Sequence, residues 1–282
     1  MLQSRNYTPS PDLAPFVRRH YVFEAELPAE AVIMDRLLAE TAFVRILLRG
    51  DWAAQIAPDT WGNVGKTLLF GGNARPFPVR VTGPFSVAGF GIKPGGWRAL
   101  FKEPASDYTD KMAPLAEAWE DAATDMEAGV TSAKTDAEIV AAMENGIRAQ
   151  LARVGRPKED KMISRLEATA RTDSTIKIET VAETLGLSVR QIERRCLKSF
   201  GMSPKLVFQR SRFLDMAAAM RGLTNPSETQ LAALRFFDQS HLNREFRAFT
   251  GMTPGQFRRS ETPLLTEGLK LRADGDFLFT PG

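Results

Sequence analysis

Ser188 to Pro204 reads SVRQIERRCLKSFGMSP, and fifty residues further on Asp238 to Pro254 reads DQSHLNREFRAFTGMTP. The glycines Gly201 and Gly251 keep that offset, as do Pro204 with Pro254, Arg194 with Arg244 and Met202 with Met252. Each copy has the same physical grammar. Ser188 or Asp238 offers a side-chain oxygen to the orphan N–H groups of a helix start, and Gln191 completes a capping box in the first copy. An apolar pair four residues apart, Ile192 with Cys196 and Leu242 with Phe246, gives each helix one buried stripe. Gly201 and Gly251 then stop the helix at low conformational cost. Ser203-Pro204 and Thr253-Pro254 place a cap before a proline at the first position of a new helix. Each copy is therefore predicted to be a short amphipathic helix, a turn and another helix start.

The faces left over carry the chemistry. The first helix exposes Arg190, Gln191, Glu193, Arg194, Arg195 and Lys198; the second exposes Gln239, Ser240, His241, Asn243, Arg244 and Arg247. Arginine pairs with guanine edges, Asn and Gln with adenine, and Arg and Lys with phosphates. A charged helix face is ordinarily only a solvated one. Two copies at a fixed offset, each after another short apolar-periodic segment, favour helix-turn-helix recognition instead. The candidate DNA-binding residues are Arg190, Gln191, Arg194, Arg195, Lys198, Gln239, Ser240, His241, Asn243 and Arg244.

From about Ile176 to Arg259 the sequence resembles the DNA-binding domain of AraC-type (AraC/XylS) transcriptional regulators. The matching text is VAETLGLSVRQIERRCLKSFGMSP, then QRSRF, then FFDQSHLNREFRAFTGMTPGQFRR, together under a third of the chain. The resemblance implies double-stranded DNA as partner and a sensing N-terminal domain. It also raises a small-molecule effector, a homodimer and contact with RNA polymerase as expectations. Two positions depart from the family pattern. Arg235 stands where family members usually carry glycine, and the preceding LAALRFF is one residue short. The turn of the second unit must therefore close differently.

At 282 residues the chain suits two domains with ordinary cores. No run approaches the roughly 20 apolar residues of a membrane span, and Met1 to His20 lacks the basic-then-apolar order of a signal peptide. The single Cys196 excludes an intramolecular disulfide framework and makes a reducing cytoplasm the expected compartment. Residues 160–262 hold 17 Lys and Arg against 11 Asp and Glu, whereas residues 1–159 hold 18 against 20. The positive excess falls on the segment that would contact phosphate.

Up to about residue 104 the chain reads as strands: Val17 to Phe23, Phe43 to Leu48, Phe77 to Thr82 and Phe85 to Ile92, punctuated by LRGDW, FGGNARPFP and TGPF. The expected class is α+β: an N-terminal antiparallel β-rich domain, barrel- or sandwich-like, then a helical linker and an all-α domain with two helix-turn-helix units. IKPGGWRALF is similar to a segment of some AraC-type sensor domains, where a strand ends in a Pro-Gly turn before a helix. Trp52, Trp61, Trp97, Phe70, Phe77, Phe85 and Phe90 offer apolar wall for a pocket, although most belong to a core. From about Tyr108 the texture turns helical, and Thr135 with Glu138 makes a capping box for a helix ending near Gly155. That helix carries Ile139, Ala142, Met143, Ile147 and Leu151 on one stripe, facing either the β-domain or a second subunit.

The expected domains are 1–157, 158–262 and a weakly ordered tail, 263–282. The helix from Pro204 to Gly222 is long enough to hold the two units about 27 Å apart, near the ~34 Å of one DNA turn. Catalytic residues, metal ligands and cofactors are not expected. His20 is the one histidine of the β-rich half, and Pro94-Gly95-Gly96 is followed by no Lys-Ser/Thr pair. The rival reading is an enzyme carrying a DNA-binding module, for repair or ligand modification. Its nucleophile would be Cys196, which sits on the apolar stripe. A third reading is an interaction module whose second unit no longer binds DNA.

Overall fold

The structure is a computed structural model that describes residues 2–155, 158–225 and 239–273. Two long antiparallel strands, β4 (Phe43–Ala57) and β7 (Phe77–Ile92), organise the N-terminal domain. Sequence punctuation divides Phe77–Thr82 from Phe85–Ile92, but β7 runs through both. The reason lies opposite Pro84. Gly50 of β4 has φ +85°, and a Cβ there would stand 2.2 Å from the Pro84 carbonyl oxygen. Glycine permits that approach, so LRGDW and TGPF form a shared irregularity, with register shifts between Leu47 and Asp51, rather than two turns.

Along one edge of β7 lie β2 (Val17–Ala25) and β3 (Val32–Leu37), paired with its second and first halves respectively. β1 (Leu2–Tyr7) pairs with β2, and β5 (Thr60–Gly62) pairs with the far end of β4. β6 (Thr67–Phe70) also pairs with β4, and β8 (Met112–Pro114) with β6. Every pairing is antiparallel, and the order is β1-β2-β7-β4-β6-β8 with β3 on β7 and β5 on β4. One cluster of the sheet's side chains holds Trp52, Phe70, Phe77, Val79 and Phe85. A second joins Phe90 to Trp97 and Trp119 of helices α1 (Trp97–Leu100) and α2 (Ala116–Trp119). The same cluster takes in α3 (Asp121–Ser132) and α4 (Asp136–Val154).

Helix α4 begins on the Thr135–Glu138 capping box and ends on Gly155 in the left-handed conformation, as the sequence predicts. Ile139, Met143, Ile147 and Leu151 all bury in the core of the chain's own β-domain. That face is therefore taken, and it is not a subunit surface. IKPGGWRALF also behaves as expected: β7 ends at Ile92, Pro94–Gly96 make one 3-10 turn, and α1 follows. Its glycine serves close packing. A Cβ on Gly95 would stand 2.1 Å from Ser164 Oγ of α5 (Lys161–Thr172), and Gly95 O accepts the Asp160 N–H at 2.8 Å.

The helical region continues with α6 (Ile178–Leu185), α7 (Val189–Ser199) and α8 (Pro204–Met220). After residues 226–238, which lie outside the description, come α9 (Gln239–Thr250), α10 (Pro254–Arg259) and α11 (Pro263–Ala273). Helix α11 corrects the expectation of a weakly ordered tail from residue 263. Its Leu265 and Leu269 are buried beside Phe246, Phe249 and Phe257, because PLLTEGLKL supplies an apolar stripe to a core that lacks one wall without it. Residues 274–282 of that segment lie outside the described residues.

Candidate nucleic-acid interface

The first unit is built from α6, a turn at Gly186 (φ +65°) and α7. Ser188 Oγ accepts the Gln191 N–H at 3.3 Å, and Gln191 Oε1 accepts the Ser188 N–H at 2.9 Å. The Gln191 oxygen is thus spent on the cap, which leaves its NH2 group for an outside acceptor. Ile192 and Cys196 are wholly buried in a core with Val181, Phe200 and Met202. Burial pushes the Cys196 thiol up to about 12, with the Glu193 charge adding to it.

On the opposite side Arg190, Gln191, Arg194 and Lys198 are exposed. Four-residue spacing puts Arg190, Arg194 and Lys198 in one row. None of the three makes an ion pair with another described residue. Arg195 behaves otherwise. It is half-buried, and its Nη1 lies 3.5 Å from Asp160 Oδ2, the carboxylate that caps α5. It is turned toward the body of the protein rather than into the outward row.

In the second unit Phe246 and Phe249 of α9 bury against Phe213 of α8 and Phe257 of α10. Ser240, Arg244 and Arg247 are exposed, and Asn243 is half-buried. Arg247, although read as exposed from the sequence, is absent from the candidate set; its four-residue step from Asn243 was the available signal. Gln239 and His241 belong to α9, but their side chains lie outside the described residues, as do Asp238 and Arg235. Thr253 and Gln256 form a capping box at the start of α10. Helix α8, 17 residues long, joins the units and spans about 25 Å.

Both units rest on the β-domain. Arg210 of α8, wholly buried, donates to Asn73 O at 2.7 Å, to Ala39 O at 3.3 Å and to Glu40 O. Burial pulls its pKa down to about 10, offset in part by Glu40, so it remains charged at neutral pH. Glu40 also receives Arg171 Nη1 at 3.0 Å and Arg272 Nη1 at 2.5 Å. Burial opposes ionisation of Glu40, but Arg272, Arg171, Arg18 and Arg210 outweigh it and hold the carboxyl at about 2.

Beneath this junction lies a cavity of about 210 Å³ between the sheet and α11. Tyr21, Phe23, Phe43, Phe85 and Val87 form its apolar wall. Of the aromatic residues that the sequence offers as pocket wall, Phe85 lines it, whereas Trp52, Trp97, Phe70, Phe77 and Phe90 are core. Five arginines reach it, at positions 18, 19, 45, 171 and 272, against the carboxylates of Glu40 and Glu267. Arg45 stands apart among them. Its guanidinium lies 5.0 Å from the Phe70 ring centre and 5.3 Å from that of Phe43, and it makes no ion pair with a described residue. Sequence reading missed this cluster; a lone arginine inside the apolar strand FVRILL was the signal for it. Among the described residues no group of three or more His, Cys, Asp or Glu could hold a metal, and no helix is long and apolar enough to cross a membrane.

Residues 181–260 match a family described as a helix-turn-helix domain, and residues 5–114 match a domain of unknown function (DUF6597). No match was found among curated proteins. Similar solved structures include ToxT from Vibrio cholerae strain SCE256 with unsaturated fatty acid bound, at 10% identity and a TM-score of 0.47. That alignment covers 85% of this chain and 94% of the other. A 1.65 Å structure of Vibrio cholerae ToxT has the same identity and TM-score, covering 92% and 98%. The AraC-like transcriptional activator CuxR aligns at 14% identity and a TM-score of 0.26, covering 77% and 95%. With the family match running from α6 to α10, Ser188 capping α7, and Gly201 and Gly251 stopping α7 and α9 in the left-handed conformation, the C-terminal region of this chain is an AraC-type helix-turn-helix domain.

Proposed function

We propose that the chain is a sequence-specific DNA-binding transcription regulator, dividing near residue 158 into a β-rich sensor or assembly domain and a DNA-binding domain. Helices α7 and α9 read two successive major grooves on one face of the duplex. The observation that carries this reading is the repeated helix itself. Each copy buries its apolar stripe and turns outward a set of cations and polar groups, Arg190, Arg194 and Lys198 in one, Ser240, Arg244 and Arg247 in the other.

The cavity supports a small-molecule effector. Its chemistry suits a largely apolar molecule with a single anionic group, the body lying on Tyr21, Phe23 and Phe85 and the charge on Arg45. The enzyme alternative through Cys196 has no support in its surroundings. A wholly buried thiol pushed up to about 12 offers no thiolate at neutral pH.

The test is selection of duplexes from a random pool by the full chain, with nonspecific competitor DNA present. A regulator of this kind enriches one motif, and specific binding exceeds nonspecific by about 10³-fold or more. Recovery of no motif contradicts the reading.

A further inference from the structure

Helix α11 is fastened at both ends to partners far away in sequence. Its first N–H groups, at Leu264 and Leu265, donate to Asp35 Oδ2 of β3 at 2.7 and 3.0 Å. A helix start is ordinarily capped by the residue just before it; this one takes its acceptor from the β-domain. At the other end Arg272 reaches Glu40 at 2.5 Å, Asp215 of α8 at 2.6 Å and Ser211 Oγ at 2.7 Å. Between the ends, Leu265 and Leu269 enter the core that holds Phe246 and Phe249 of α9. Leu264, Gly268 and Leu271 roof the cavity. Gly268 is disfavoured in a helix interior relative to alanine, and a Cβ there meets nothing within 4 Å. Packing does not demand a glycine at this place. Gly268 is exposed and shares the cavity-lining face of α11 with Leu264 and Leu271, so a larger side chain there has open space to enter.

We propose that α11 is the gate of the effector site, and that an apolar anion in the cavity binds the docked helix and thereby steadies the second recognition helix. This rests on the reading of the cavity as an effector site. A ligand beneath the roof touches Leu264, Gly268 and Leu271 only while α11 is docked, so its binding free energy is added to that state alone. When α11 leaves, Leu265 and Leu269 leave with it, and α9 loses the support behind Phe246 and Phe249. The first unit has a separate core of Ile163, Ile192, Cys196 and Phe200, to which α11 contributes nothing. Occupancy therefore sets how firmly α9 is held and leaves α7 as it was.

Hydrogen–deuterium exchange on the full chain, with decanoate as the apolar anion, tests this. Decanoate is expected to slow exchange in residues 263–273 and 242–250 by about fivefold or more, with residues 189–199 unchanged. Gly268→Phe, which fills the cavity from its roof, should slow the same amides without decanoate and weaken decanoate binding by about tenfold or more. The smaller Gly268→Leu change should act in the same direction if the larger one impairs folding. Arg272→Gln should speed exchange in α11 and weaken decanoate binding. Decanoate binding that Arg45→Ala abolishes, but that leaves α11 exchange unaltered, overturns the gate and keeps the effector site. Equal slowing of α7 and α9 overturns the gate as well, since it would mark general stabilisation. Absence of decanoate binding overturns both.

Discussion

Arg195 and Glu245 stand at the same position of the repeated helix, carry opposite charges, and are each tied back to the protein body. Arg195 meets Asp160 at 3.5 Å, whereas Glu245, almost wholly buried, meets Arg212 at 3.3 Å and accepts from Gln209 at 3.1 Å. This position anchors the recognition helix in both copies. The one before it, Arg194 or Arg244, is exposed in both and faces outward.

That contrast separates two neighbouring arginines. Arg194→Ala is expected to cost about 1–3 kcal/mol in binding a selected duplex. Arg195→Ala should cost the fold at most about 1 kcal/mol, because its ion pair is partly exposed, and should leave sequence preference unchanged. Binding titrations of both variants against the selected motif and a scrambled duplex check this. An Arg194→Ala loss that is equal on both duplexes makes it a phosphate contact.

Cys196 is expected to resist thiol reagents at pH 8 until the helical region unfolds, so labelling should follow the unfolding rate. The sign for stability follows from the raised thiol. Its contribution is complete below the ordinary value of 9.0 and is lost as pH rises from there toward about 12. Cys196→Ala removes that alkaline limb and destabilises the first unit by shrinking a filled core. Rapid labelling of the folded protein contradicts the burial described here.

Glu40 yields an acid prediction. Its carboxyl is lowered from 4.5 to about 2, so its contribution is present above 4.5 and is lost as pH falls through that window. A shift of this size corresponds to about 3 kcal/mol. Glu167 and Asp215 are both raised by burial and titrate in the opposite sense. Denaturant melts of the wild type and Glu40→Gln between pH 5 and 2 should therefore differ in slope. Parallel curves would show that the arginines do not hold Glu40 ionised.

Much of this fold is legible in the sequence where the signal is local. The caps at Ser188 and Thr135, the stops at Gly201, Gly251 and Gly155, and the stripe of α4 depend on residues within one or two turns. What escapes is set by pairs distant in the chain. Gly50 facing Pro84 turns two apparent loops into continuous strands, and Asp35 capping Leu264 makes a helix of an apparent tail. The same holds for the interface. Arg194 and Lys198 are exposed, as their spacing along the helix predicts, while the turn of Arg195 toward the protein body depends on Asp160, 35 residues earlier.

The central claim is that both recognition helices touch DNA together, and a hydroxyl-radical footprint of the full chain on its selected duplex tests it most directly. The expected result is two protected windows on one face of the helix, one turn or ~34 Å apart. Arg194→Ala should weaken one window and Arg244→Ala the other. Protection of a single groove that Arg244→Ala leaves untouched, or no protection at all, would contradict it.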